Sequence, residues 1–185
     1  YMHVRDGNAF HGGELGILVE GTFPGSAGID IGDMGQGWNL FASNIENGII
    51  CQGSESPVGA NIVNCRFSNV NSLATGFGGS NQYMFYNNTI ENTPNGVFSF
   101  GTGDHFNLTQ CNEFTNISNA DNLYLFNNNN SQFLGNRSNG THNVNYALLS
   151  ANVADNIGAP GNPAGNCFSD NGTDILTTSF FIFNQ

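Results

Sequence analysis

Lysine is absent from the chain, and three arginines stand against fourteen aspartates and glutamates, a formal net charge of -11 over 185 residues. Nucleic acid is therefore not an expected partner, because binding to phosphate draws on the cations that this sequence lacks. An anionic substrate or surface would be repelled at long range. No window carries sustained helical periodicity, and no apolar run reaches the ~18 residues that a helical membrane span requires. The four cysteines, Cys51, Cys65, Cys111 and Cys167, lack the C-x-x-C spacing that holds zinc. No signal peptide is visible in the sequence and its first residue is Tyr1 instead of Met, so the expectation is a processed chain or a piece cut from a longer one.

What is present points to a packed, turn-rich domain. Hydrophobic residues make up 38% of the chain, and sixteen phenylalanines are enough to fill one core. Roughly one residue in six is Asn, which with glycine tolerates left-handed backbone, so many tight turns are predicted rather than long helices.

The chain also repeats itself. An apolar-x-Asn tripeptide recurs as Ile45-Glu46-Asn47, Phe67-Ser68-Asn69, Ile90-Glu91-Asn92 and Phe114-Thr115-Asn116, with Arg137-Ser138-Asn139 as a degenerate copy. The period is about 22 to 24 residues, which calls for a solenoid. Each unit opens on a short strand, passes through the tripeptide, turns and closes on a second strand such as Gly96-Val97-Phe98. One such unit cannot bury its own apolar side chains, but a stack of them can. The expected fold is all-β, a right-handed parallel β-helix of about six to seven coils, near 30 Å long at ~4.8 Å per coil. Residues 1–37 read as an irregular first coil or cap, and 38–185 as the repeats, within a longer chain.

Within that stack, Ile45, Phe67, Ile90 and Phe114 are expected to pile up inside. Asn47, Asn69, Asn92, Asn116 and Asn139 are expected to align at one turn, each amide donating to the next. Arg137, at the degenerate anchor position, would cap or kink a coil. The thiols leave two readings open: buried free cysteines, or a disulfide between Cys51 and Cys65.

These repeats resemble those of right-handed parallel β-helices of the pectate-lyase-like group. The matching stretches are Asn44-Ile45-Glu46-Asn47-Gly48-Ile49, Asn88 to Asn92 with Asn95-Gly96-Val97, and Asn112 to Asn116. The likeness spans residues 38–176 and implies a fold, not an activity. The segment from Asn156-Ile157-Gly158 to Gly165-Asn166-Cys167-Phe168-Ser169 is similar to coils of large secreted surface proteins of Bacteroidota, which implies export.

Chemistry is sparse. A glycoside hydrolase needs two carboxylates at a set separation, and the candidates are Asp30 with Asp33, or Asp104 beside His105. Neither matches the Asp-Asp and Gly-His-Gly elements of the polygalacturonase-like branch, and the lyases of the fold resemble one another in using an Arg or Lys base, for which only Arg5, Arg66 and Arg137 exist. Calcium is the metal to consider, with Asp30, Asp33, Asp170 and Asp174 as oxygen donors; no other cofactor is implied. Trp38, Tyr83, Tyr86 and Tyr124 are candidate sugar-stacking residues, with core or rim packing as the alternative. Seven Asn-x-Ser/Thr sequons occur, a number expected largely from the Asn-rich composition, and Asn116 and Asn139 would also be locked in the ladder, so glycosylation is not expected.

The last stretch, Phe180-Phe181-Ile182-Phe183, would leave an apolar edge strand at the end of the stack. Its expected cover is flanking chain, another subunit or a partner in the secretion or surface apparatus. The functional expectation is a non-catalytic extracellular or cell-surface segment, structural or adhesive, of a larger secreted protein. The alternative is a carbohydrate-active enzyme, a polysaccharide lyase or glycoside hydrolase, or a carbohydrate-binding β-helix.

Overall fold

A computed structural model of the chain describes residues 2–5, 7–21, 29–33, 38–53, 59–78, 82–99, 108–124, 132–141, 144–148, 167–170 and 173–177. The C-terminal stretch 180–183 and residues 158–165 lie outside the described residues. Every regular element among the described residues is a strand, and none is a helix that could cross a membrane. In chain order these are β1 (Met2–Val4), β2 (Ala9–Gly21), β3 (Ile29–Ile31), β4 (Asn39–Gly53), β5 (Gly59–Val63) and β6 (Cys65–Ser68). Then come β7 (Leu73–Gly78), β8 (Gln82–Tyr86), β9 (Thr89–Glu91), β10 (Asn95–Ser99), β11 (Leu108–Gln110) and β12 (Glu113–Thr115). The series closes with β13 (Ala120–Tyr124), β14 (Gln132–Leu134), β15 (Arg137–Gly140), β16 (Val144–Leu148), β17 (Cys167–Asp170) and β18 (Thr173–Thr177).

All pairing is parallel, and it links each strand to its counterpart one repeat away. One sheet runs β1-β3-β5-β8-β11-β14; the other runs from β17 through β15, β12, β9 and β6 to β4, then through β7, β10, β13 and β16 to β18. β4 belongs to both halves of the second sheet, because Asn39–Ala42 pairs with β6 and Asn47–Gln52 with β7. β2 lies along β4 with the same bend, at Gly12 and Gly13, where β4 has Asn44 at φ 70°. Three stacked strand columns therefore wrap one interior, the arrangement of a parallel β-solenoid.

Side chains of alternate residues fill that interior. Phe10, Phe41, Phe67, Ile90, Phe114, Ser138 and Phe168 are successive register partners. The first three rings stack at 4.6 and 4.9 Å between centroids, 4° and 13° from parallel. Phe67, Ile90 and Phe114 are completely buried. Ile45 is buried too, but it faces Gly13 at the bend of β4, and Phe41 holds the place expected for it. Likewise Ser138, not Arg137, stands at the anchor position of its coil, and Arg137 points out opposite Glu113.

The amide ladder lies on a different column from the one expected. The residues before β9, β12 and β15 are Asn88, Asn112 and Asn136, all buried. Asn88 N and Nδ2 both donate to Asn112 Oδ1, at 2.9 and 3.1 Å, and Asn112 N and Nδ2 donate to Asn136 Oδ1, at 3.0 and 2.9 Å. Asn8 makes the same pair of bonds to Asn39 Oδ1. Each Nδ2 also reaches a carbonyl of the first sheet in the preceding coil: Asn39 to Val4, Asn88 to Ile62, Asn112 to Phe85, Asn136 to Thr109. A buried amide with this many partners costs little, whereas an unpaired one would cost about 1–3 kcal/mol.

Cys65 is the one described interruption of that column. Its N–H donates to Asn88 Oδ1 at 2.8 Å, and its Sγ takes the amide's role towards Ile31 O at 3.7 Å.

The tripeptide asparagines do something else. Asn69, Asn92 and Asn116 sit on the surface at φ 52–55°, where they turn the chain out of the strand. Asparagine is among the few residues that accept this backbone readily. Among the described residues their side-chain ladder has one rung, Asn116 Nδ2 to Asn92 Oδ1 at 3.1 Å, exposed; Asn69 Nδ2 turns to Ser68 Oγ instead. Asn139 is one residue out of line, opposite Thr115, and Gly140 at φ 86° makes the turn there. Asn47 lies on β4 opposite Leu73, in another column. Asn116 is thus exposed and not locked away in a ladder. Cys51 and Cys65 are not joined in a disulfide: Cys51 pairs with Phe77 and Val19 along the sheet while Cys65 pairs with Asn39, so the two are not register neighbours.

Candidate functional site

The outer surface of the β6-β9-β12 row carries alternating polar side chains, because every second residue of a strand faces away from the core. Leu40, Arg66, Thr89, Glu113 and Arg137 form one outward column, one residue per coil. Arg66 reaches diagonally to the next coil, where Nε and Nη2 both meet Glu91 Oε1, at 3.0 and 2.5 Å. Its guanidinium also lies 5.7 Å from the Trp38 ring centroid, within cation–π range. Burial pushes the Glu91 carboxyl up, but hydrogen bonds from Arg66 and Ser68 outweigh it and hold the group below the ordinary carboxylate range.

Trp38, Asn64, Cys65, Arg66, Asn87 and Thr89 line a depression of about 260 Å³ beside this pair. Asn64 and Asn87 both adopt φ 53° one coil apart, so each lifts its amide off the strand into the same hollow. Trp38 is 48% exposed and, with Leu18, one of two large apolar side chains so displayed among the described residues. The remaining candidate aromatics are placed otherwise. Tyr83 is buried and stacked on Phe77 at 3.6 Å, Tyr86 is half-buried, and the side chain of Tyr124 lies outside the described residues.

A second depression, about 280 Å³, is lined by His3, Arg5, Asp30, Gly32 and Asp33. His3, Asp30 and Asn61 are register partners. Asp30 therefore sits between them, with Oδ2 3.1 Å from His3 Nδ1 and Oδ1 accepting from Asn61 Nδ2 at 2.8 Å. This arrangement braces three coils with one carboxylate. Asp33 is exposed at its rim. Among the described residues no group of three or more His, Cys, Asp or Glu is placed to hold a metal ion. Asp170 and Asp174 fall on β17 and β18, but their side chains, like all of Asp104, His105 and His142, lie outside the described residues.

Arg66, Glu91, Asn64, Asn87 and Thr89 were not singled out by sequence as companions of Trp38. The repeat carries the signal that groups them, since one period separates Arg66 from Thr89 and Asn64 from Asn87. The geometry defines the class as a parallel β-solenoid. No protein-family model, no curated protein and no solved structure matches the chain.

Proposed function

We propose that the chain is a non-catalytic extracellular solenoid segment of a larger secreted or cell-surface protein, with a structural or adhesive role. The observation that carries this reading is how outward charges are used. Arg66 is tied to Glu91 and His3 to Asp30, each contact bridging adjacent coils, and Glu113 lies in register with Arg137. A general acid and base would instead be two groups held apart across a cleft with contrasting environments. The finer likeness to pectate-lyase-like coils, and the location outside the cell, belong to this proposal and rest on the repeat pattern.

The test is to incubate the chain with neutral and acidic polysaccharides, with and without Ca2+, and measure new reducing ends and unsaturated uronide absorbance. No product is expected from any of them. Release of either product would replace this reading with that of a polysaccharide-degrading enzyme. Carbohydrate binding without turnover, the second reading, is favoured by one specific feature, the displayed Trp38.

A further inference from the structure

We propose that the depression between Trp38, Arg66 and Thr89 is a subsite for one neutral pyranose ring of a glycan, a proposal that rests on the adhesive form of the reading above. A pyranose offers a flat C–H face and a rim of hydroxyls that both donate and accept. Trp38 supplies the plate for the face. Its ring is held from one side by the Arg66 guanidinium at 5.7 Å, and Arg66 is in turn held by its two bonds to Glu91. The plate is therefore set before a ligand arrives, which lowers the ordering cost of binding.

The rim partners stand around it. Thr89 carries a hydroxyl, Asn64 and Asn87 carry amides with both donor and acceptor atoms, and the guanidinium N–H groups not used by Glu91 can still donate. Asn87 Nδ2 donates to Asn64 Oδ1 at 3.5 Å, which places the two amides side by side at the rim. At about 260 Å³ the hollow falls below the ~300–1,000 Å³ of a drug-sized pocket, and suits a single ring of a longer chain passing along the solenoid. Charge selects neutral over anionic sugars. The guanidinium is already neutralised by Glu91, and the chain's net charge of -11 repels polyuronates.

Trp38 is the sole tryptophan of the chain, so its emission reports this hollow and no other place. The 185-residue chain is titrated with cellohexaose, xylohexaose and chitohexaose, with hexagalacturonate as the charged comparison. A saturable change in Trp38 emission is expected with at least one neutral oligosaccharide and not with the uronate. Thr89→Val and Arg66→Ala, both changes on an exposed or half-exposed face that leave the core untouched, each weaken that binding roughly 3- to 10-fold, the size of one or two lost hydrogen bonds. Trp38→Phe weakens it as well, read by calorimetry. The proposal is overturned if none of the three neutral sugars gives a saturable change, if hexagalacturonate binds more tightly than they do, or if binding is indifferent to both rim substitutions. Absence of binding with no products leaves a purely structural module standing, whereas products with binding retain the subsite and remove the non-catalytic reading.

Discussion

The ring of Phe67 lies directly against the backbone of Gly48 in the preceding coil, so that a Cβ at Gly48 would stand 2.9 Å from two of its ring carbons. Gly16 stands under Phe41 in the same way, and Gly96 under Phe114. The flanking register aligns Gly16, Gly48, Ala74, Gly96 and Asp121 in one column. Above Asp121 the anchor residue is Ser138, whose Oγ donates to the buried carboxylate. Where the ring is missing, a polar pair fills the space.

Gly48→Ala is predicted to destabilise the fold by about 1–3 kcal/mol, the usual cost of overpacking a filled core. A Phe67→Ile background relieves the ring contact but leaves the 2.5 Å approach of the Cβ to the Ala74 carbonyl oxygen, so only part of the cost is recovered. Denaturant melts of the four proteins in the cycle should therefore show coupling of about 1 kcal/mol. Strict additivity of the two changes would contradict the packing described.

The thiols divide by burial. Cys51 and Cys65 are buried, and burial pushes the Cys51 thiol up to about 12, while Cys111 and Cys167 are exposed. Since the thiolate is the reactive form, a native chain treated with an aromatic disulfide reagent at neutral pH should release two equivalents quickly and the remaining two only on unfolding. Four rapid equivalents would show that the core is not closed around Cys51 and Cys65.

Cys65→Asn should stabilise the protein. It places an amide where the column has a thiol, giving Asn39 an Oδ1 to donate to and Ile31 O an N–H donor in place of Sγ at 3.7 Å. A gain of about 1 kcal/mol is expected, one net hydrogen bond, read as a rise in melting temperature. A fall of similar size would mean that the pocket at Cys65 is too tight for the amide.

The Glu91 carboxyl is depressed in the folded chain, burial being outweighed by Arg66 and Ser68. A depressed carboxyl contributes stability above its unfolded pKa and loses that contribution as pH falls through the folded one. Acidification below the ordinary value of 4.5 should therefore remove it, and Glu91→Gln should flatten that part of the stability curve. The amplitude is small, ~0.2–1 kcal/mol, because the Arg66 partner is half-exposed and screened by solvent. A curve for the variant that parallels the parent from pH 7 to 3 would contradict this; the comparison is made by urea midpoints.

The period and the parallel stack were legible in the sequence because coils of near-constant length bring like residues together. The register was legible only where a Phe or Ile was followed by Ser, Glu or Thr and then Asn. At Ile45-Glu46-Asn47 the same pattern occurs at a bend, and Phe41 two residues after Asn39 is the true equivalent. Two asparagine columns bracket β9 and β12, and both have the parity of the buried residue between them: Asn88, Ile90 and Asn92 are each two apart. Parity alone would put all three inside. The left-handed backbone at Asn92 turns that residue out, a conformational choice that residue type permits but does not announce. Trp38 was recognisable as a lone displayed aromatic. The Arg66–Glu91 clamp beside it was not, because the two are a full coil apart in sequence and adjacent only once the register is known.

The two columns can be separated by one substitution made twice. Asn92→Gly removes an exposed rung to Asn116 but places glycine at φ 52°, a backbone that glycine adopts without strain, and its cost should stay within about 0.5 kcal/mol. Asn112→Gly strips the acceptor from Asn88 N and Nδ2 and the Nδ2 donor from Phe85 O and Asn136 Oδ1, all buried; Asn136 Oδ1 keeps the backbone N–H of residue 112, and Asn88 Nδ2 keeps Ile62 O. It should cost more than ~3 kcal/mol, at about 1–3 kcal/mol for each group left unpaired. Equilibrium urea unfolding of these two variants is the most direct test of a solenoid organised around an internal amide column. A large loss for Asn112→Gly with little change for Asn92→Gly is the predicted result; equal losses, or the larger loss at Asn92, would contradict it.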